Sequence, residues 1–141
     1  MDERYTIRYV EKPDDADETI IGRGISRFNE QQAGASGYRR LCCFLRAPDG
    51  QVVGGLIGAT YWGWLYVDLL WVREDLRGQG YGHGLLTLAE DEARKRGAHN
   101  AYLDTFSFQA PGLYQRHGYA VFGELAHFPG GHQRYFLTKE L

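Results

Sequence analysis

Apolar and polar positions alternate along much of this chain, and the places where the period changes divide it into elements. Thr6-Ile7-Arg8-Tyr9-Val10 alternates and predicts a first strand. Pro13 with Asp14, Asp15, Asp17 and Glu18 sets a proline and acids where a helix begins, because the helix dipole favours negative charge there. Ile21, Ile25 and Phe28 recur at helical spacing, Gly22 and Gly24 weaken the stripe, and Gly34 and Gly37 lead out. Tyr38 to Arg46 predicts a strand, Pro48-Asp49-Gly50 a tight turn, and Gln51 to Thr60 the antiparallel partner. After a turn at Tyr61 to Gly63 comes Trp64 to Val72, the most apolar strand and the expected centre of the sheet, interrupted by one carboxylate, Asp68. Leu85, Leu88, Ala89 and Ala93 then follow helical spacing, closed by Arg94-Lys95-Arg96 and Gly97. Ala101 to Phe106 predicts a strand and Ala110 to His117 a short helix stopped at Gly118. Tyr119 to Phe122 and Arg134 to Leu137 predict two more strands. This order predicts the α/β class, with one domain over residues 1–141 and a single mixed, mostly antiparallel central sheet flanked by helices.

Composition narrows the function classes. At 141 residues the chain is long enough for one domain and too short for two. Its apolar share of 43% and charged share of 24% exclude a disordered or fibrous protein. A formal charge of -2 argues against nucleic acid as a partner, which would call for a basic patch. No apolar run is long enough to span a membrane, and the acidic start (Asp2, Glu3) has no apolar run behind it, so a cytoplasmic protein is expected. Cys42 and Cys43 are strand neighbours pointing to opposite faces, which makes them poor partners for a disulfide. No residue spacing suggests a metal site.

The informative segment is Arg77-Gly78-Gln79-Gly80-Tyr81-Gly82-His83-Gly84, between the central strand and the amphipathic helix. Alternate glycines leave backbone N–H groups uncovered where a helix begins and its dipole is positive, which is the chemistry of an anion site. Arg77 adds a guanidinium able to hold phosphate oxygens. The competing reading is a loop that only lets the helix pack close to its strand. A P-loop is excluded because no Gly-Lys-Ser/Thr follows, and the frame fits a Rossmann fingerprint badly.

Leu69-Leu70-Trp71-Val72 followed by Arg77-x-x-Gly80-x-Gly82 resembles the signature of the GCN5-related N-acetyltransferases, and Ala110-x-x-x-Tyr114-x-x-x-Gly118-Tyr119 is similar to that family's later helix and turn. Together the two blocks span about Trp64 to Glu124, and the stretch from Leu103 to Pro111 with Gly131-His132 looks like a small bacterial branch. The resemblance implies the acyl-CoA N-acyltransferase fold and acetyl-CoA as acyl donor, without a metal. It implies that Arg77, Gly78, Gln79, Gly80, Tyr81 and Gly82 bind the pyrophosphate, and that Leu70, Trp71 and Val72 bind pantetheine and the carbonyl through main chain. Many members carry Asn where this chain has Ser107, whose hydroxyl can still donate and accept toward the cofactor arm. The implied activity is transfer of acetyl to a primary amine of a small molecule, directly in a ternary complex. A non-catalytic acyl-CoA sensor, a nucleotide-binding protein and acetylation of a protein lysine or N-terminus are the rivals.

Amine acetylation needs a path for the amine proton, donors for the developing oxyanion and an acid for the leaving thiolate. Tyr114 matches the family position of that acid, against the alternative of a packed aromatic. Asp68 is the candidate base, because a carboxylate in the most apolar strand is costly to bury unless paired or functional, and desolvation would raise its pKa. Period-two alternation places Tyr66, Asp68 and Leu70 on one face and Val67, Leu69 and Trp71 on the other. Tyr61, Trp62, Trp64 and Tyr66 could line an acceptor pocket or be ordinary core, and Asp104 and Gln109 could face the acceptor. His127 and His132 flank a loop, as a shuttle or as solvated residues. Cys42 and Cys43 lie far from both blocks, which disfavours a ping-pong mechanism. The aromatic surface of so small a sheet is compatible with a homodimer.

Overall fold

Alternation becomes a strand only where a neighbouring edge supplies hydrogen-bond partners. The computed structural model describes residues 2–141, which fall into two compact units, one ending at Ser36 and the other Gly37–Leu141. In the first unit Thr6 to Val10 does not form the strand that its alternation predicts, and Ile7 and Tyr9 are exposed. Helix α1 (Asp15–Ala33) starts where the acids predict: the Asp14 side chain caps it, accepting from Ala16 N–H at 3.2 Å. The stripe of Ile21, Ile25 and Phe28 is exposed rather than buried.

The second unit is a six-stranded sheet in the order β1-β2-β3-β4-β6-β5. Its strands are β1 (Arg39–Arg46), β2 (Val52–Tyr61), β3 (Trp64–Val72), β4 (Asn100–Phe106), β5 (Ala120–Ala126) and β6 (Gln133–Glu140). Helices α2 (Tyr81–Lys95) and α3 (Pro111–Arg116) complete it. Every strand pair is antiparallel except β3 with β4, which α2 joins as a parallel crossover. Leu56, Leu65, Val67, Leu103 and Leu137 form one buried sheet face against Leu85, Leu86, Ala89 and Ala93 of α2. Leu88, expected in that stripe, is exposed, and the helix instead buries Leu86 and the carboxylate Glu90.

Two irregularities shape the centre of the sheet. The parallel ladder runs only from Trp64 opposite Asn100 to Val67 opposite Leu103, after which β3 and β4 part. At the same point Gly58 pairs with Val67 but Ile57 pairs with Leu69, so Asp68 is an extra residue bulged out of β3. The bulge reverses the alternation. Leu70 and Val72 pack against the same core as Leu65 and Val67, so Leu70 does not share a face with Tyr66 as strict period two predicts. Gly58 makes room for this, since a Cβ there would collide with the Tyr66 carbonyl oxygen.

Candidate active site

The fork between β3 and β4 opens into a cleft of about 780 Å³, lined by both forked strands, by the glycine turn and by α3. Asp68 and Asp104 are the first residues past the last ladder pair, one on each strand. At the C-terminal end of β3 the glycine turn begins α2. Gly78 and Gly80 have φ of +75° and +91°, where L side chains are strained, and a Cβ on either would point into open space. The backbone ladder of α2 opens with Gly84 N–H donating to Gly80 C=O at 3.0 Å, so helix geometry leaves the Tyr81, Gly82 and His83 amides without an intrahelical acceptor. Gly82 serves packing as well: a Cβ would come within 3.0 Å of the Leu113 side chain on α3. The competing structural reading of the turn therefore accounts for Gly82, but not for the open space over Gly78 and Gly80.

The structure brings most of the expected residues together. Leu70, Trp71, Val72, Arg77, Gly78, Gly80, Tyr81, Gly82, Tyr114 and Asp68 all line the cleft. Arg77 Nε donates to Val72 C=O at 2.8 Å, which fixes the guanidinium at the end of β3. Two expected residues stand apart from the lining. The Gln79 amide donates to the Asp75 carbonyl at 3.2 Å, bracing the 3₁₀ turn Glu74–Leu76. Ser107 Oγ accepts from Gln133 N–H at 3.0 Å and so ties β4 to β6. In its place Thr105 and Gln109 line the cleft. Gln109 Oε1 accepts from Thr105 Oγ1 at 2.9 Å and from Phe106 N–H at 2.8 Å, leaving its Nε2 as the group it can offer.

Tyr114 is 8% exposed, and burial, helped by the charge of Asp104, pushes its hydroxyl up to about 12. It therefore stays protonated across the physiological range. Asp68 is exposed rather than buried, and accepts from Tyr66 OH at 3.3 Å. Asp104 is paired with Arg134 at 2.5 Å, and Arg134 in turn lies over the rings of Phe106, Phe128 and Phe136. Burial pushes the Cys43 thiol up, away from nucleophile chemistry. Among the described residues no group of three His, Cys, Asp or Glu is placed to hold a metal ion, and no helix is long and apolar enough to cross a membrane.

A forked sheet with a glycine turn at the fork's end can be compared with known proteins. The acetyltransferase (GNAT) family model matches residues 5–119. The chain belongs to this family. An acetyltransferase of Agrobacterium fabrum (strain C58) is 42% identical over 122 residues, covering 86% of this chain and 89% of that protein. The blasticidin-S acetyltransferase of Streptomyces morookaense is 44% identical over 93 residues, 65% of this chain and 68% of that one. The crystal structure of an acetyltransferase from Bacillus cereus superposes with a TM-score of 0.86 at 31% identity, covering 95% and 98% of the two chains. This GNAT protein is an acetyl-CoA-dependent acetyltransferase.

One group of residues in this acetyltransferase escapes sequence reasoning. Buried Glu90 accepts from Tyr119 OH at 2.8 Å and Lys139 Nζ at 2.7 Å, with His117 Nε2 at 3.5 Å. His117 Nδ1 lies 2.9 Å from Nδ1 of His83, which lines the cleft. The one available signal was a carboxylate at an α2 position flanked by Leu86, Ala89 and Ala93, and its partners are 29 and 49 residues away.

Proposed function

We propose that this acetyltransferase moves the acetyl group of acetyl-CoA to a primary amine of a small molecule, directly within a ternary complex. The observation that carries the reading is the fork: β3 and β4 part where Asp68 and Asp104 stand, and buried, protonated Tyr114 lines the same cleft as the glycine turn.

Acetyl-CoA supplies a thioester whose carbonyl is open to attack by a neutral amine. Arg77 and the free amides at the start of α2 hold its diphosphate, with Gly78 and Gly80 giving backbone room. The main chain of Leu70, Trp71 and Val72, on the edge of β3 that β4 has left, holds the pantetheine arm and polarises the carbonyl. Asp68 takes the proton shed by the amine, through water, since it is exposed at the fork. As the carbon–nitrogen bond forms and the carbon–sulfur bond breaks, the Tyr114 hydroxyl gives its proton to the departing sulfur. The small acceptor is supported by the name of the blasticidin-S relative.

Thiol release with a panel of primary amines tests the assignment. Tyr114→Phe is expected to lower kcat by about a hundredfold, the low end for a general acid, while calorimetry shows acetyl-CoA still bound. Initial-rate lines at varied amine should intersect rather than run parallel. An unchanged kcat in the phenylalanine variant would remove Tyr114 from the chemistry.

A further inference from the structure

The face of the sheet opposite α2 carries a second concavity. It is an apolar basin of about 570 Å³ lined by Tyr61, Trp62, Trp64, Tyr102, Phe122 and Thr138. Resting on the acceptor reading above, we infer that this basin binds a planar aromatic ring of the amine acceptor, held about 13 Å from the amine that reacts at the fork.

Continuity with the fork is the first support. Trp64 stands four residues before Asp68 on β3, about 13 Å at the usual rise of a strand. Between them Tyr66 stacks on Tyr102 with centroids 4.8 Å apart and planes 21° from parallel, and Asp68 and Asp104 each follow two residues later. An aromatic path therefore leads from the basin to two carboxylates. Arg134 neutralises Asp104, whereas among the described residues Asp68 is in no ion pair and accepts from the Tyr66 hydroxyl, so an ammonium group is drawn to Asp68. Ring at one end and cation at the other is the charge pattern of an aryl amine with a spacer.

Rigidity and shape argue for a ring. Tyr61 and Tyr102 share a hydroxyl–hydroxyl hydrogen bond that pins the floor. Trp64 stands edge-on to Tyr102 at 71°, and Trp62 is tilted 56° from Tyr61, so the walls meet at angles that suit edge-to-face contact. The volume is that of a small-molecule pocket.

Backbone strain at Trp62 is an independent sign. Trp62 and Gly63 have φ of +45° and +76° and form the two-residue loop of the β2–β3 hairpin. That loop favours Asn or Gly at its first position, and a bulky side chain there is strained. A tryptophan held at such a position is accounted for by use of its ring.

The test uses α,ω-diaminoalkanes capped at one end by a naphthoyl or an acetyl group, with spacers spanning about 13 Å. Wild type should acetylate the naphthoyl amines with kcat/KM about tenfold above the acetyl-capped ones. Trp64→Ala and Trp62→Asn should bring that ratio toward one, and Trp62→Asn should also melt a few degrees higher because it relieves the turn. Tryptophan fluorescence titration reads the basin without turnover: the naphthoyl amine should quench saturably in wild type and more weakly in both variants. Equal kcat/KM for the two caps, or quenching unaffected by both variants, overturns the inference. So does a dimer in wild type that Trp62→Asn dissociates. Saturable quenching without acetylation of any primary amine would instead overturn the small-amine reading of the acceptor, and with it the amine end of this inference, leaving the basin as a ring-binding site alone.

Discussion

His117 shows how one side chain can tie pH to stability. Burial is the main cause holding it below the usual histidine range, Lys139 and His83 act in the same direction, and Glu90 opposes them. Its Nδ1 faces Nδ1 of His83, and two such nitrogens can share a hydrogen bond only when one of them carries a proton. Glu90 from α2, Lys139 from β6 and Tyr119 before β5 complete its surroundings. As pH falls below 6.5, the unfolded chain takes up a proton at this position that the folded chain resists. Stability from His117 is thus present above that value and lost as the solution turns acid. Urea unfolding at pH 5.5 and 7.5 should show a lower midpoint at the acid value, and His117→Gln should flatten the difference. At this scale the short helix carrying Tyr114 was legible, because the four-residue spacing to Gly118 is local, and the structure sets that side chain at the cleft. Glu90 was not, because its partners are brought to it only by folding.

Among the elements, the bulge in β3 matters most. Val67 and Leu65 face α2 and so do Leu70 and Val72, and only an extra residue at Asp68 reconciles the two runs. The bulge coincides with the fork, so the strand bends where the cleft opens and Asp68 is turned out to it. Gly58 lies opposite, and its missing side chain lets the Tyr66 carbonyl approach. Gly58→Ala is expected to cost about 1–3 kcal/mol by overpacking, read in chemical denaturation, and to impair acetyl transfer by shifting β3. A variant as stable and as active as wild type would show that the bulge does not depend on this glycine. The strands and helices of the sheet unit were legible because period and turn chemistry are local: β3 runs from Trp64 to Val72 as its apolar run predicts, whereas the alternation of Thr6 to Val10 yields no strand. The phase reversal was not, although a glycine inside β2 is the kind of signal that marks a bulge or a close backbone approach.

For the molecule as a whole, Glu90 joins α2 to the far half of the sheet, because its carboxylate meets Tyr119 before β5 and Lys139 on β6. The side chain is 3% exposed, so removing it leaves the Lys139 ammonium without its counter-charge. Glu90→Ala should lose about 3 kcal/mol in urea unfolding, and adding Lys139→Met should recover part of that loss. A double variant no more stable than the single would show that the cost lies in packing rather than in the orphaned charge. The local code of the chain, read in periods of 2 and 3.6 and in glycines that free backbone amides, was enough to determine the mixed sheet and the helix behind the glycine turn, and two short motif blocks carried the resemblance to the family. Those are properties of consecutive residues and of short spacings. Tertiary structure alone decided that β3 and β4 part at Asp68 and Asp104, that Ser107 turns to β6 while Gln109 takes the cleft, and that four aromatic residues and a threonine meet Phe122 in one basin. Each of these joins groups far apart in the chain, and such contacts exist only once the strands have paired.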